Sequence, residues 1–260
     1  MIKGLYEYYL RNIRHKGKRH AVKWSLAILP FKTLKTHYGP VFKVNRNDKT
    51  NIYALCGEYG HIVAGHVEAL PKGSAFIDIG TNYGLFSLMA SKSVGTEGRV
   101  YSFEPNPFIY SSFIENVRLS NATNIIPFQS AIAEKNGILN LSFEQGHSGK
   151  SHIVDSRTVE AIKISGFNIS EWTFLEKDIA GRPVHIKIDV EGYEAKILDV
   201  LLKCSWFENV KSITIEIDQE NLNIFDSDAE KDIYERLQRE GFSTQIGLDK
   251  SQHYDEIFTR

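Results

Sequence analysis

The sequence is poor in cysteine and has no hydrophobic run long enough to cross a membrane. Of its 260 residues only Cys56 and Cys204 are cysteines, and they form no CxxC pair, which argues against a disulfide scaffold and for a reducing compartment. The longest apolar run near the N-terminus, Trp24–Phe31, is interrupted by Ser25 and Pro30 and falls short of the roughly 18 residues of a membrane span. No small-x-small cleavage site follows it, so we expect neither a transmembrane helix nor a signal peptide. The expected location is the cytoplasm.

The charge is unevenly distributed along the chain. The net charge is −1 overall, yet residues 1–37 contain nine Lys or Arg and a single acid, Glu7. Apolar side chains recur there at helical spacing with basic residues between them, which predicts a basic amphipathic helix. Such a helix could lie on an anionic membrane at its inner face, grip a phosphorylated glycan precursor, or pack over the core with its basic face in solvent. Because the remainder is acidic, we do not expect a nucleic-acid partner.

Short β-branched runs alternate with helical stretches from Phe76 onward. This pattern predicts an α/β fold with a parallel sheet and helices on both faces. We place a basic N-terminal helical extension at residues 1–70 and the main domain at 71–260. The predicted strands are Ala75–Ile79, Val100–Phe103, Ile125–Phe128, Val184–Ile188 and Ser212–Ile217, followed by closing strands at Phe242–Ile246 and Glu256–Thr259. The predicted helices are Leu85–Ser93, Phe108–Ser120, Tyr193–Cys204 and one that begins near the capping box Ser227–Glu230 and ends at Gly241.

Residues 137–165 fit the alternation poorly. Gly137–Phe143 predicts an additional strand, and Gln145–His152 predicts a polar loop. The two histidines of this segment have no cysteine partners, which argues against a zinc site.

A glycine-bearing turn directly follows the first predicted strand. In an open parallel sheet such a turn lies at the carboxyl edge, where ligands bind, and Gly80 and Gly84 allow the backbone to approach a bound molecule. The next strand ends at Glu104, where a nucleoside's ribose hydroxyls would need an acceptor. Asn106 can then cap the following helix. A nicotinamide oxidoreductase would need G-x-G-x-x-G, but the third position is Asn82, so dinucleotide binding is disfavoured.

Three blocks of the sequence resemble the signature blocks of FkbM-family methyltransferases: Asp78–Gly84, Phe103–Pro107 and Lys187–Glu194. The resemblance implies a class I methyltransferase fold, Rossmann-like and doubly wound, with a mostly parallel seven-stranded sheet. It also implies that S-adenosylmethionine is the cofactor and that the acceptor is a hydroxyl, often on a sugar or a secondary metabolite. The expected cofactor-binding residues are Asp78, Gly80, Thr81, Asn82, Gly84, Leu85, Glu104, Pro105, Asn106, Ser130, Ala131 and Asp189.

The third block offers groups that could accept a hydroxyl proton. Alternation in Val184–Ile188 puts His185, Lys187 and Asp189 on one face, and Asp189 reaches the carboxyl edge. A buried lysine needs a partner, so we expect Lys187 to be neutralised by Glu216 or Asp189, either in a structural ion pair or in the chemistry. The candidate catalytic residues are Asp189, Glu191, Lys187 and His185. We expect no dedicated metal site, although Asp189, Glu216 and Asp218 could gather Mg²⁺.

These observations favour an O-methyltransferase that acts on a hydroxyl of a carbohydrate or glycan precursor. The alternatives are an O-methyltransferase of a small secondary metabolite and a non-catalytic module that binds glycan or membrane on the same fold. The sequence gives no indication of the oligomeric state.

Overall fold

The computed structural model describes residues 2–154, 161–222, 229–244 and 253–260. None of the helices in these ranges is long and apolar enough to cross a membrane. The helices are α1 (Ile2–Asn12), α2 (Lys18–Ile28), α3 (Lys49–Cys56), α4 (His61–Glu68), α5 (Leu85–Val94), α6 (Pro107–Leu119), α7 (Thr173–Ile179), α8 (Glu194–Leu201), α9 (Gln219–Leu222) and α10 (Ala229–Arg239). The strands are β1 (Thr33–Lys35), β2 (Val41–Lys43), β3 (Ala75–Ile79), β4 (Arg99–Phe103), β5 (Ile125–Phe128), β6 (Ala131–Ile132), β7 (Gly137–Glu144), β8 (His147–Ile153), β9 (Ala161–Phe167), β10 (Val184–Ile188), β11 (Val210–Asp218), β12 (Ser243–Thr244) and β13 (His253–Thr259).

The central sheet has seven strands in the order β12-β13-β11-β10-β3-β4-β5. Strand β13 runs antiparallel to both of its neighbours, and the other pairs are parallel. Side chains of β3 alternate between two hydrophobic clusters: Ile77 belongs to the cluster that includes α8 and α10, whereas Phe76 belongs to the one that includes α5 and the N-terminal helices. The predicted doubly wound, mostly parallel seven-stranded sheet is therefore confirmed.

The predicted elements of this sheet agree closely with the structure. Strands β3, β5 and β10 have the predicted bounds, and β4 and β11 extend slightly beyond them. Gly241 has φ +84° and follows α10, as the predicted helix stop requires. Ser227, the proposed cap of α10, lies outside the described residues, as does the second half of Phe242–Ile246.

A second sheet of four strands, in the order β6-β9-β7-β8, is inserted between β5 and β10. The additional strand predicted at Gly137–Phe143 is confirmed as β7. The prediction of a loop over Gln145–His152 was wrong, because β8 pairs antiparallel with β7 across a two-residue turn. Gly146 has φ +82°, the left-handed conformation that such tight hairpins need.

The N-terminal helices share a core with the central sheet. Buried side chains of α1 and α2 lie in one cluster with β3 and α5, and Leu10, Val22 and Leu26 are fully buried. The Lys18 ammonium, also buried, donates to the carbonyl oxygens of Leu10 (2.6 Å) and Cys56 (2.9 Å). The two N-terminal helices are therefore part of the packed structure.

Candidate active site

A cavity of about 540 Å³ lies at the carboxyl edge of the central sheet. The ends of β3, β4, β10 and β11 form its floor, and α3 and β8 form one wall. In a doubly wound sheet this edge is where ligands bind. The cavity is therefore the candidate active site.

Gly80 brings the turn after β3 against the end of β10. Its φ is +82°, and a Cβ at this position would lie 1.8 Å from the carbonyl oxygen of Asp189. The Asp189 amide in turn donates to the carbonyl oxygen of Ile79 at 3.1 Å. Only glycine allows this approach, which places the Asp189 backbone beside the predicted cofactor turn.

Glu104 ties the cofactor turn to the end of β4. Its two carboxylate oxygens accept hydrogen bonds at 2.8 Å from the backbone amides of Asn82 and Asn106. Glu104 is buried, and burial raises the pKa of its carboxyl to about 7. Each oxygen keeps a further lone pair, so the carboxylate can still accept from a ligand hydroxyl.

Lys187 is a largely buried residue of the cavity lining, and its ammonium group lies between two carboxylates. Its Nζ is 2.8 Å from Asp189 Oδ2 and 3.8 Å from Asp78 Oδ1. Burial opposes the charge, but Asp189 and Asp78 outweigh it and hold the pKa of Lys187 above its usual value. The predicted pairing of Lys187 with Asp189 is confirmed. The second partner, Asp78, lies opposite Lys187 on the neighbouring strand β3, and the sequence analysis did not assign it.

Three carboxylates converge at the end of β10 and β11. Oxygen atoms of Asp189, Glu191 and Glu216 all lie within 4.8 Å of one another. Burial and then the Asp189 charge raise the pKa of Glu191 to about 8 and that of Glu216 well above its usual range. Although burial favours neutral Asp189, the Lys187 ammonium holds the pKa of Asp189 below its usual value. Asp189 is thus the carboxylate that stays ionised.

Residues distant in sequence support this carboxylate group. Asn221 Nδ2 donates to Glu191 Oε2 at 2.7 Å. Glu191 itself has a left-handed backbone conformation, with φ +55°. His253 lies 3.3 Å from Glu216 and 3.2 Å from Asp218, and these contacts raise the pKa of its imidazole to about 10. Among the described residues, the carboxylates whose oxygens lie close enough to share a cation are Asp189, Glu191 and Glu216, so Glu191 takes the position that the sequence analysis gave to Asp218.

Most of the predicted site residues lie together around the cavity. Those that line it are Gly80, Thr81, Asn82, Leu85, Glu104, Pro105, Ser130, Ala131, Lys187, Asp189 and Glu191. Within the described ranges, Ser130 Oγ is buried without a hydrogen-bond partner. A ligand that enters the cavity would find this hydroxyl available.

Four predicted site residues are not among those lining the cavity. Asp78 accepts hydrogen bonds beneath it from Thr81 (2.7 Å) and Ser87 (2.5 Å). Gly84 begins α5, where a Cβ would lie 2.2 Å from the Phe113 ring. Asn106 caps α6 by accepting from the Phe108 amide at 3.0 Å, as predicted.

His185 lies nearer the other end of β10. Its Nδ1 is 2.8 Å from Ser212 Oγ, and its ring packs against that of His66. Burial lowers the pKa of His185 to about 4, so the imidazole is neutral near pH 7. The structure does not bring His185 to the carboxylates.

The sequence analysis did not assign several residues of the cavity wall. Tyr53 and Tyr59 come from the N-terminal region, and His147 and Ser148 come from β8. Ser148 Oγ is 3.1 Å from Asn82 Oδ1, so β8 contacts the cofactor turn. Gln145-Gly146, which separates two segments that are each long enough for a strand, is the sequence feature that could have predicted this hairpin.

The sequence model of a protein family, the methyltransferase FkbM domain, matches residues 78–244. Hexuronic acid methyltransferase AglP of Haloferax volcanii is 27% identical over 153 residues, which are 58% of this chain and 59% of that protein. Methyltransferase sdnD of Sordaria araneosa is 24% identical over 176 residues, 56% of this chain and 67% of that protein. This chain therefore aligns with less than two thirds of AglP.

Solved structures of similar shape include methyltransferases. Aeropyrum pernix fibrillarin in complex with natively bound S-adenosyl-L-methionine has a TM-score of 0.43 and 13% identity, covering 76% of this chain and 72% of that one. Precorrin-6y C5,15-methyltransferase from Geobacter metallireducens has a TM-score of 0.43 and 15% identity, covering 76% and 86% respectively.

Proposed function

Because the chain belongs to the FkbM methyltransferase family, we propose that it transfers a methyl group from S-adenosylmethionine to a hydroxyl of a carbohydrate or glycan precursor. Residues 71–260 would form the methyltransferase domain, and residues 1–70 its basic helical extension. The observation that carries the proposal is the Asp189 carboxylate, which lines the cavity together with Gly80 and Asn82 of the cofactor turn and lies 2.8 Å from the Lys187 ammonium.

The residues at one end of the cavity fit the methyl donor. Glu104 would offer carboxylate lone pairs to the ribose hydroxyls, and Ser130, which lines the same cavity, would lie beside the adenine. Gly80, Thr81 and Asn82 of the cofactor turn line the same cavity. When bound, the donor supplies an electrophilic methyl group, so the protein has chiefly to align the acceptor and exclude water.

The residues at the other end fit an acceptor hydroxyl. A sugar hydroxyl is a weak nucleophile until its proton is accepted, and Asp189 and Glu191 are carboxylates that line the cavity there. Tyr53 and Tyr59 add aromatic surface to the same cavity, against which the apolar face of a sugar ring can pack. A carbohydrate acceptor is also supported by the name of the relative AglP, a hexuronic acid methyltransferase.

Incubation with methyl-labelled S-adenosylmethionine and a set of hydroxylated acceptors tests this function. We expect S-adenosylhomocysteine to raise the melting temperature, NAD to leave it unchanged, and label to enter uronic acids or glycan precursors. If label entered only small secondary metabolites, the acceptor would be a secondary metabolite in place of a carbohydrate. Binding without any transfer would favour a non-catalytic module, and failure to bind at millimolar concentration would contradict the cofactor assignment.

Glu104→Ala is expected to weaken S-adenosylhomocysteine binding by about 1–3 kcal/mol, because the ribose hydroxyls lose their acceptor. Isothermal titration gives the dissociation constant. Since the pKa of Glu104 is about 7, wild-type affinity should rise from pH 6 to pH 8 as the carboxyl ionises. Glu104→Gln is the control of equal size: it should lose this pH dependence and bind better than the Ala variant. An unchanged dissociation constant in both variants would leave Glu104 only the role of holding the turn.

A further inference from the structure

The first two helices expose an unusual share of the large apolar side chains. Six of the twelve that are exposed among the described residues fall between positions 2 and 28, namely Ile2, Leu5, Tyr8, Ile13, Trp24 and Ile28. Leu5 is 66% exposed and Trp24 71% exposed. On a monomer in water this costs free energy that burial against a partner would recover.

The packing of α1 and α2 fixes which side chains face outward. Leu10 on α1 and Val22 on α2 are buried, and Tyr6 Oη lies 2.6 Å from Ser25 Oγ between the helices. Leu5 and Trp24 are the chain neighbours of this hydrogen-bonded pair. Because buried side chains already fill the inward faces of both helices, the exposed apolar side chains cannot turn inward without displacing the core.

The same two helices carry most of the positive charge of the N-terminal region. Arg11, Arg19 and Lys23 are exposed on the helices and Arg14 and Lys16 on the link between them, and Glu7 is the single acid in residues 1–37. On α1, Leu5 and Tyr8 share a side, and Arg11 lies further round the helix at 100° per residue. Apolar side chains flanked by basic ones form the pattern of a helix that lies in a membrane interface.

We propose that the outer surface of α1 and α2 docks on an anionic lipid bilayer, with its apolar side chains in the interface and its basic side chains among the headgroups. Positive charge excludes a basic partner and complements the negative potential of acidic lipids, to which each Lys or Arg near the surface contributes about fivefold in binding. The cavity stays available because the apolar residues of this surface do not line it. The proposal does not depend on the proposed chemistry.

Vesicle binding of the full chain tests this surface directly. We expect co-sedimentation with vesicles of phosphatidylcholine containing about 30 mol % phosphatidylglycerol, little with phosphatidylcholine alone, and loss of binding as salt is raised. Trp24 reports on insertion: its fluorescence should shift to the blue on the anionic vesicles. Trp206 is buried and Trp172 is half-buried against Phe128, so Trp24→Phe should remove the shift while leaving co-sedimentation largely intact.

Matched substitutions locate the contact. Leu5→Ser with Trp24→Ser should weaken vesicle partitioning by about 10- to 100-fold, since two interfacial apolar groups are lost. Phe108→Ser with Ile138→Ser is the control, because these residues are 67% and 66% exposed elsewhere. Substitution is preferable to deletion of residues 1–37, whose buried side chains are part of the core.

Charge reversal gives a second comparison. Lys16→Glu with Lys23→Glu should abolish binding to the anionic vesicles, whereas Lys203→Glu with Lys211→Glu, also exposed, should not. Equal melting temperatures would show that all variants are folded. The proposal is overturned if the wild type does not bind the anionic vesicles at low salt, or if both control pairs weaken binding equally. It is also overturned if Trp24 already emits in the blue in a self-associated protein without lipid, because a second copy would then cover the surface.

Discussion

Asp189→Asn lowers turnover by about 10²- to 10⁴-fold if Asp189 accepts the hydroxyl proton, because general base catalysis contributes a factor of this size. The amide has the same shape but little basicity. Lys187 keeps the wild-type carboxylate ionised at 2.8 Å, so Asp189 is ready to accept a proton or orient the acceptor without first losing one. S-adenosylhomocysteine affinity should change little, since the amide oxygen can still accept a hydrogen bond. Single-turnover methyl transfer measures the chemical step.

The pH profile separates Asp189 from Glu191. The pKa of Glu191 is raised to about 8, so a reaction that needs ionised Glu191 would accelerate as the pH rises through 8. A reaction that uses Asp189, whose pKa is lowered, would be flat over the same range. Glu191→Gln is the matched variant. Near-normal turnover by Asp189→Asn, together with an inflection near pH 8 that disappears in Glu191→Gln, would assign the proton to Glu191.

A reaction that depends on a divalent ion would behave differently from proton transfer to either Asp189 or Glu191. The oxygens of Asp189, Glu191 and Glu216 are close enough to share a cation, and carboxylates suit Mg²⁺. In that case a chelator would abolish turnover of the unmodified protein, and Mg²⁺ would restore it. Turnover that is insensitive to the chelator would leave the carboxylates with proton transfer and positioning alone.

The site residues that lie on a parallel strand, or directly after one, were predictable from the sequence. Alternation along β10 put Lys187 and Asp189 on one face, and the end of β4 placed Glu104 at the carboxyl edge. These positions depend on the direction of a parallel strand and its period of two, which local sequence specifies.

The cavity wall was not predictable in the same way. His253 and Asn221 reach the carboxylates from segments far along the chain, and Tyr59 comes from the opposite end. Such contacts arise from tertiary packing, for which a single sequence carries no periodic signal. Strand β8, which includes Ser148, was missed because most of its residues are polar. Its polar atoms find partners in the N-terminal region: the Ser148 amide donates to Asp48 at 2.9 Å.

Lys187→Met is expected to lower the free energy of unfolding by about 3–5 kcal/mol, the usual cost of removing one partner from a buried ion pair. Methionine fills similar volume, so the loss reflects charge. Asp78 is fully buried and Asp189 adjoins it through Lys187, and without the ammonium both carboxylates lose their neutralising partner. Denaturant unfolding measures the difference. Lys203→Met, at an exposed position, should stay within about 0.5 kcal/mol of wild type.

The pH dependence of that loss identifies its cause. In the Lys187→Met variant, burial without the ammonium would raise the folded-state pKa of Asp189 above the value of about 3.9 in the unfolded chain. The folded variant would then bind more protons than the unfolded chain, so its stability would fall as the pH rises. The deficit relative to wild type should therefore be smaller at pH 5 than at pH 8. A deficit that is equal at both pH values would point to lost packing against the Phe86 ring, 5.4 Å from the ammonium, in place of lost charge. A deficit below about 1 kcal/mol would mean that Lys187 is not needed for folding, and its contribution would then be sought in turnover.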